Sequence, residues 1–370
     1  MCFPLPVRRI AGRRKREILK ESMEKHDQIF HYNHRFELEA GGYLPSFQLK
    51  YTTLGTLNES RDNVIWVCHA LTGSSDFTDW WAALVHETSS FDPRRHFIIC
   101  ANMLGGCYGS TGPLSINPET GKPFFHSFPA TTNRDSVRAF DLLRQSLGIE
   151  KVHTLIGGSL GGQQALEWAV QQPDVFEHLI AIACNAVHSP WGIAFNEAQR
   201  LAIEADPTWK ENDQRAGADG LRAARAIGML SYRSYATFEE TQQEKTNDTL
   251  DDFRAATYQR YQGQKLVNRF NAYSYWRLSK MMDSQNLGRN RAGIREALAG
   301  VNAKALIVGI DSDILFPPHE QRLLAENIPH ANYQEITSAY GHDGFLIEFD
   351  QLDTIIKHFY HHKTLSTVLS

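Results

Sequence analysis

This sequence predicts an α/β protein built on a mostly parallel, doubly wound sheet, on three observations. Short apolar runs at 63–68, 97–100, 152–156, 179–183 and 305–309 are continuous rather than alternating, as strands covered on both faces must be. Helix-forming segments at 134–147 and 163–171 lie between them, and strand alternating with helix implies parallel pairing. The third observation is one junction. The apolar run ending at Ile156 passes through Gly157-Gly158-Ser159-Leu160-Gly161 directly into a helical segment. That pattern, G-x-S-x-G between a strand and a helix, holds a serine on a sharp turn at the tip of a sheet.

The remaining segments follow in order. Residues 36–57 alternate more and are more polar, which suits antiparallel strands at one sheet edge. From 188 to 297 the strand-like runs stop, and helical spacing is read at 194–203, 220–232, 250–267 and 272–282. A long helical segment between two sheet strands is expected to form a lid. Strands are read again at 305–310 and 333–337, the second leading through a turn into helical 345–349. The expected organisation is a core of 31–187 and 298–370, a helical lid of 188–297, and a flexible basic extension of 1–30. Arg8, Arg9, Arg13, Arg14, Lys15, Arg16 and Lys20 make that extension basic, and it has no apolar core of a secretory signal.

Composition narrows the function. The 370 residues are 42 % hydrophobic and 22 % charged with a net charge of −4. That balance gives no argument for nucleic acid or an anionic membrane as a partner. No apolar run reaches the ~18 residues that span a bilayer. The cysteines Cys2, Cys68, Cys100, Cys107 and Cys184 are odd in number and not closely spaced, which argues against a disulfide framework or a cysteine zinc site. Cys68, Cys100 and Cys184 are read as small core residues, and Cys107 as packed in its glycine-rich loop. A cytoplasmic protein is expected.

A serine hydroxyl needs an adjacent base to act as a nucleophile. In a sheet carrying a serine elbow the partners follow in the order Ser, Asp or Glu, His. Asp311 and Asp313 both follow the 305–310 strand, with Asp313 preferred as the acid and the other expected to cap the turn. His342, in Gly341-His342-Asp343-Gly344 after the last strand, is the expected general base. An oxyanion hole is expected from the backbone N–H groups of Leu160, next after the serine, and Leu71, in the loop after 64–67. His69 is expected to support that loop by hydrogen bonding.

With these elements assembled, the chain resembles the homoserine O-acetyltransferase family of the α/β-hydrolase fold over about residues 30–360. The likeness is carried by Cys68-His69-Ala70-Leu71-Thr72-Gly73, by the glycine-rich 102–113 (Asn102 to Pro113), by 115–123, by 157–168, by 312–317 and by 341–346. The glycine-rich segment is its most specific part, and within it Gly106 and Ser110 are expected to bear on the choice of acyl donor. The resemblance implies ping-pong transfer through a Ser159 acyl-enzyme. Acetyl-CoA serves as co-substrate, L-homoserine is the acceptor, the product enters methionine synthesis, and no metal or bound cofactor takes part. It also implies Arg225 for the substrate carboxylate, with Tyr232 seven residues on and so on the same helix face. Asp343, directly after the expected base, is expected to meet the substrate ammonium, and the resemblance implies a homodimer through the lid.

Rival readings keep the same triad. A serine O-acetyltransferase or a homoserine or serine O-succinyltransferase differs in a few pocket residues; one methylene is worth only ~1–3 kcal/mol of discrimination. An esterase or thioesterase differs in admitting water to the acyl-enzyme. A non-enzymatic interaction module would be expected to have lost Ser159 or His342, and both are present.

Overall fold

A computed structural model describes residues 24–361. Its centre is an eight-stranded sheet of β1 (His26–Tyr32), β2 (Phe47–Leu54), β3 (Val64–Cys68), β4 (Phe97–Ala101), β5 (Val152–Gly158), β6 (Phe176–Ile182), β7 (Lys304–Ile310) and β8 (Ala331–Ile336). They lie side by side in the order β1-β2-β4-β3-β5-β6-β7-β8. The pairs β1–β2 and β2–β4 are antiparallel and every later pair is parallel. The expected mostly parallel sheet with an antiparallel edge is therefore present.

The continuous apolar runs are explained by cover on both faces. In β3, Val64, Trp66 and Cys68 join one core, and Ile65 and Val67 join the other. The first core holds Phe140 of α1 (Asn133–Ser146) and Leu166 and Trp168 of α2 (Leu160–Gln171). The second holds Leu352, Ile356 and Phe359 of the last helix, Phe349–His361. α1 begins with a capping box in which Thr132 and Asp135 satisfy each other's backbone N–H groups.

Between β6 and β7 come the helices α3 (Pro190–Glu204), α4 (Ala218–Tyr232), α5 (Tyr235–Gln242), α6 (Arg254–Val267) and α7 (Ala272–Asp283). Four of these lie where helical spacing places them. The spacing gives no sign of α5, a short helix started by the Ser234 hydroxyl accepting from Thr237 N–H. β1 is likewise absent from the sequence reading, and its residues 26–30 fall in the stretch expected to be a flexible extension. It is an exposed edge strand whose His26-Asp27-Gln28 start carries no apolar pattern, so its only signal is backbone pairing with β2. The basic cluster from Arg8 to Lys20 lies outside the described residues.

Trp168 ties the sheet to α2. Its fully buried ring meets Trp66 edge-on at 4.9 Å and Phe176 at 5.2 Å. Replacing it by alanine leaves a large cavity between strand and helix. Trp168→Ala is expected to lower the unfolding free energy by about 3–5 kcal/mol, read from urea denaturation followed by far-ultraviolet circular dichroism.

Candidate active site

Ser159 stands where β5 hands the chain to α2. Its backbone is forced to φ 59°, ψ −128°, outside the ordinary regions for a residue with a side chain. What permits the turn is the absence of side chains around it. A Cβ on Gly157 would fall 2.2 Å from the Gly161 carbonyl oxygen, and one on Gly161 would fall 2.1 Å from that of Cys68. Strand, helix and the loop after β3 thus touch backbone to backbone.

The hydroxyl points to His342, whose Nε2 lies 2.8 Å from Ser159 Oγ. On the other side of the ring, Nδ1 is 2.6 Å from Asp313 Oδ2. A carboxylate can only accept, so the proton sits on Nδ1 and Nε2 presents its lone pair to the serine. Asp313 is held in turn: its Oδ1 accepts the N–H groups of Leu315 (2.8 Å) and Phe316 (2.9 Å). All three side chains are buried. The Phe316 ring stacks on His342 at 5.0 Å and Phe345 meets it edge-on at 5.5 Å, so the imidazole has little freedom to turn.

Between the two acids left open by spacing, geometry selects Asp313. Asp311 does not cap the turn after β7; it accepts the Ser338 N–H at 3.0 Å and so holds the loop that carries His342. Ser312 helps, donating to the Ser338 carbonyl and accepting the Gly341 N–H at 3.1 Å. His342 itself lies in a short 3-10 helix, Gly341–Leu346, entered at Gly341 with φ 62°.

Leu160 adjoins the point where α2 meets the loop that carries Leu71. Leu160 is the first residue of α2, where the N–H has no partner within the helix. Leu71 lies in the loop whose Cys68 and His69 carbonyls touch Gly161. Neither N–H donates to a protein acceptor among the described residues. His69 supports the loop as expected: its Nδ1 lies 2.9 Å from the Ala70 carbonyl, and its Nε2 accepts the Met103 N–H at 3.4 Å.

The α4 residues come up to the triad. The Tyr232 ring lies 6.1 Å from the His342 ring, and the Arg225 guanidinium sits 5.2 Å from the centre of the Tyr232 ring. The seven-residue spacing therefore does place them on one face. No carboxylate of the described residues is within ion-pair distance of Arg225, whereas Asp343 is already paired with Arg233 at 2.9 Å. The sequence reading missed Arg233. It adjoins Tyr232 in sequence, and nothing but the folded geometry connects it to Asp343.

The hydroxyl of Ser110 is used inside the glycine-rich loop. The residue is buried, its hydroxyl donating to the Asn102 carbonyl at 2.6 Å and accepting the Lys50 N–H at 3.0 Å. Those bonds fasten the glycine-rich loop to β2. At Gly106 an added Cβ would approach the Met103 carbonyl oxygen at 3.1 Å, so its backbone is what the loop uses. Cys68, Cys100 and Cys184 are buried, and their thiols are pushed far up by burial; Cys107 is pushed up to about 12 for the same reason. All four behave as packing residues.

A second set of polar groups lies behind the triad and was not legible in the sequence. Gln163 donates to Asn185 at 2.9 Å, and Asn185 donates to Glu320 at 3.0 Å. Burial, with Asp313 nearby, pushes the Glu320 carboxyl up to about 7. His188 belongs to the same group, within 3.4 Å of Gln163 and 3.3 Å of Asn196. Burial drives both His69 and His188 down to about 4, so both are neutral at pH 7. In the unfolded chain they would titrate near 6.5. The unfolded state therefore binds more protons below that value, and this contribution to stability is complete above about pH 6.5 and lost as pH falls toward about 4. Glu320, raised in the folded state, works the other way between about pH 7 and 4.5, and two histidines outweigh one carboxyl. Urea midpoints measured between about pH 7.5 and 4.5 are therefore expected to fall with pH.

Comparison with known proteins is consistent with this geometry. A family model described as the alpha/beta hydrolase fold matches residues 63–349. A homoserine O-acetyltransferase of Cyclobacterium marinum is 52 % identical over 339 residues, covering 92 % of this chain and 96 % of the relative. The crystal structure of homoserine O-acetyltransferase from Bacillus anthracis superposes with a TM-score of 0.84 at 23 % identity, over 92 % of this chain and 98 % of that one. Esterase E22 superposes with a TM-score of 0.83, also at 23 % identity, over 91 % and 100 %. At that identity the two structures establish the fold, and the sequence match establishes the family. With its elbow serine, histidine and aspartate in hydrogen-bonded sequence, the chain belongs to the homoserine O-acetyltransferase family of the alpha/beta hydrolase fold.

Proposed function

We propose that the protein is a homoserine O-acetyltransferase that moves an acetyl group from acetyl-CoA to the side-chain hydroxyl of L-homoserine. The observation that carries the proposal is the Ser159–His342–Asp313 hydrogen-bonded chain, in a protein 52 % identical to a relative of that name. In the first half-reaction Ser159 Oγ attacks the thioester carbonyl while His342 Nε2 takes its proton. The Leu160 and Leu71 N–H groups receive the developing oxyanion. The C–S bond breaks, the proton passes from His342 to the sulfur, and coenzyme A leaves. In the second half-reaction the homoserine hydroxyl gives its proton to His342 and attacks the acetyl-enzyme. Ser159 then recovers a proton from His342 as the acetyl ester of homoserine departs. Asp313 keeps the imidazole in the correct tautomer throughout.

Arg225 is proposed to bind the homoserine carboxylate. It is the cation beside the triad that lacks a carboxylate partner, and its fork matches a carboxylate through two parallel bonds. Burial pushes the Tyr232 phenol up, so it remains a neutral hydrogen-bonding group next to His342. Asp343 is proposed to meet the substrate ammonium. The protein is further proposed to work in the cytoplasm on the route to methionine, as a homodimer through the helical insertion. Trp191, Leu201, Leu230 and Tyr235 are exposed on that insertion.

The competing reading is an ester hydrolase, which the equally close superposition of esterase E22 keeps in play. Coenzyme A release by the purified protein decides between them. With acetyl-CoA, release is expected to need homoserine, to fall at least about 10³-fold in Ser159→Ala, and to be slow with water alone. Equal rates with and without acceptor would make the protein a hydrolase, and preference for serine or for succinyl-CoA would retain the mechanism with another substrate. Arg225→Lys keeps the charge and removes the fork. Its KM for homoserine is expected to rise about 10–100-fold, with the pre-steady-state burst of coenzyme A from acetyl-CoA nearly unchanged.

A further inference from the structure

We propose that His153, His178 and Glu177 form a binding site for a divalent transition metal of the zinc class. It lies at the N-terminal edge of the sheet, opposite the edge that carries Ser159. His153 precedes Ser159 by six residues of extended chain, about 20 Å. The site is therefore separate from the acyl-transfer centre.

The ligands come from the first residues of two neighbouring parallel strands. β5 and β6 are parallel, with Val152 opposite Phe176 and Thr154 opposite His178, so Glu177 comes level with His153. One ligand atom from each of the three side chains lies within 4.8 Å of the other two. Bonds of about 2.0–2.2 Å to zinc call for ligand atoms nearer 3.4 Å apart. Glu177 is exposed, and rotation of its side chain closes the difference.

The imidazoles are prepared as ligands. His178 Nδ1 donates to the His153 carbonyl at 2.9 Å, which fixes the tautomer and leaves the lone pair on Nε2. His153 Nδ1 lies 2.9 Å from the Thr154 hydroxyl, which is itself held by Tyr360 at 2.8 Å. The two rings are 4.9 Å apart, and Tyr360 packs against both. Burial lowers both histidines, His153 to about 4, so at neutral pH no proton has to be displaced. His96 adds a third ring 5.5 Å from His153.

Neighbouring charge is mixed. Asp62 acts on His153 with a sign that favours a cation, and Lys304 acts on His178 against one. The Lys304 ammonium is drawn aside to the Phe359 carbonyl at 3.3 Å and the Phe359 ring at 5.1 Å. Two nitrogens and one carboxylate oxygen select zinc, cobalt or nickel over magnesium or calcium. With Glu177 at the surface, water completes the coordination. The metal would staple β5 to β6 and stabilise the fold by mass action.

Isothermal titration of the full chain with zinc chloride near neutral pH, in a non-chelating buffer, tests the assignment. One zinc per chain is expected, with a dissociation constant on the order of micromolar, together with a rise in the thermal unfolding midpoint. Glu177→Gln is expected to weaken binding about 10-fold or more, and His153→Gln with His178→Gln to abolish it. No uptake by the parent chain at about 100 times that concentration would overturn the proposal. So would unchanged stoichiometry in the double variant, or unchanged affinity in Glu177→Gln, which is exposed and answers the question even if the double variant fails to fold.

Discussion

Everything at the catalytic edge depends on one close approach, the backbone contact of Gly157, Gly161 and Cys68. A side chain at either glycine would have to occupy space already filled by a carbonyl oxygen. With both absent, β5 turns into α2 within a single residue, and that residue, Ser159, takes the strain, of order 1–3 kcal/mol. The surrounding packing sustains it: a Cβ on Gly158 would strike the Phe345 ring at 2.7 Å, and one on Gly162 would strike Cys184 at 2.7 Å. The same contact places the loop of Leu71 against the first turn of α2. Ser159 and the N–H groups proposed as oxyanion donors are thus set by one packing event, and their spacing has little freedom to vary.

The base is fixed by a different set of contacts, and these come from the helical insertion as well as the sheet. Gly341 packs against the backbone of residues 232–234, where an added Cβ would lie 3.0 Å from the Ser234 nitrogen. The hydroxyls of Ser234 and Thr237 both donate to the Ala339 carbonyl. Arg233 pairs with Asp343 and lies 5.5 Å from the Tyr340 ring. The end of α4 and the start of α5 therefore clamp the loop that bears His342. A displacement of the insertion would therefore move the His342 imidazole relative to Ser159.

How much of this was legible in the sequence follows from the range of each interaction. The elbow could be read because strand, turn and helix are contiguous. The triad could be read because the order Ser, Asp, His is fixed by the strand order of the sheet. Arg225 and Tyr232 could be paired because helix periodicity is local. The choice of Asp313 over Asp311 could not be settled by spacing, since both follow β7. It rests on the N–H groups of Leu315 and Phe316 turning toward one carboxylate. The Arg233–Asp343 pair spans more than a hundred residues and has no local signature. β1 was missed because an exposed edge strand needs only a partner's backbone, and the Gln163–Asn185–Glu320 chain because three separate segments supply it. The bonds of the Ser110 hydroxyl to the main chain of Asn102 and Lys50 were not legible either, because they join separate segments.

The fold is shared by an acetyltransferase and an esterase at nearly equal superposition, so the fold alone does not decide between water and homoserine as acceptor. What meets the proposed acyl-enzyme decides it. Water is small and abundant, and a bound amino acid prevails over it only if it is held in line for attack while the site stays closed. Arg225, proposed for the substrate carboxylate, would give an amino acid a hold that water lacks. The Arg233–Asp343 pair implies that a substrate ammonium reaching Asp343 must share or displace an existing cation. That exchange would take place on the clamp that positions His342. Acceptor binding and alignment of the base would then be one event, which is how a site with a hydrolase's machinery can favour transfer.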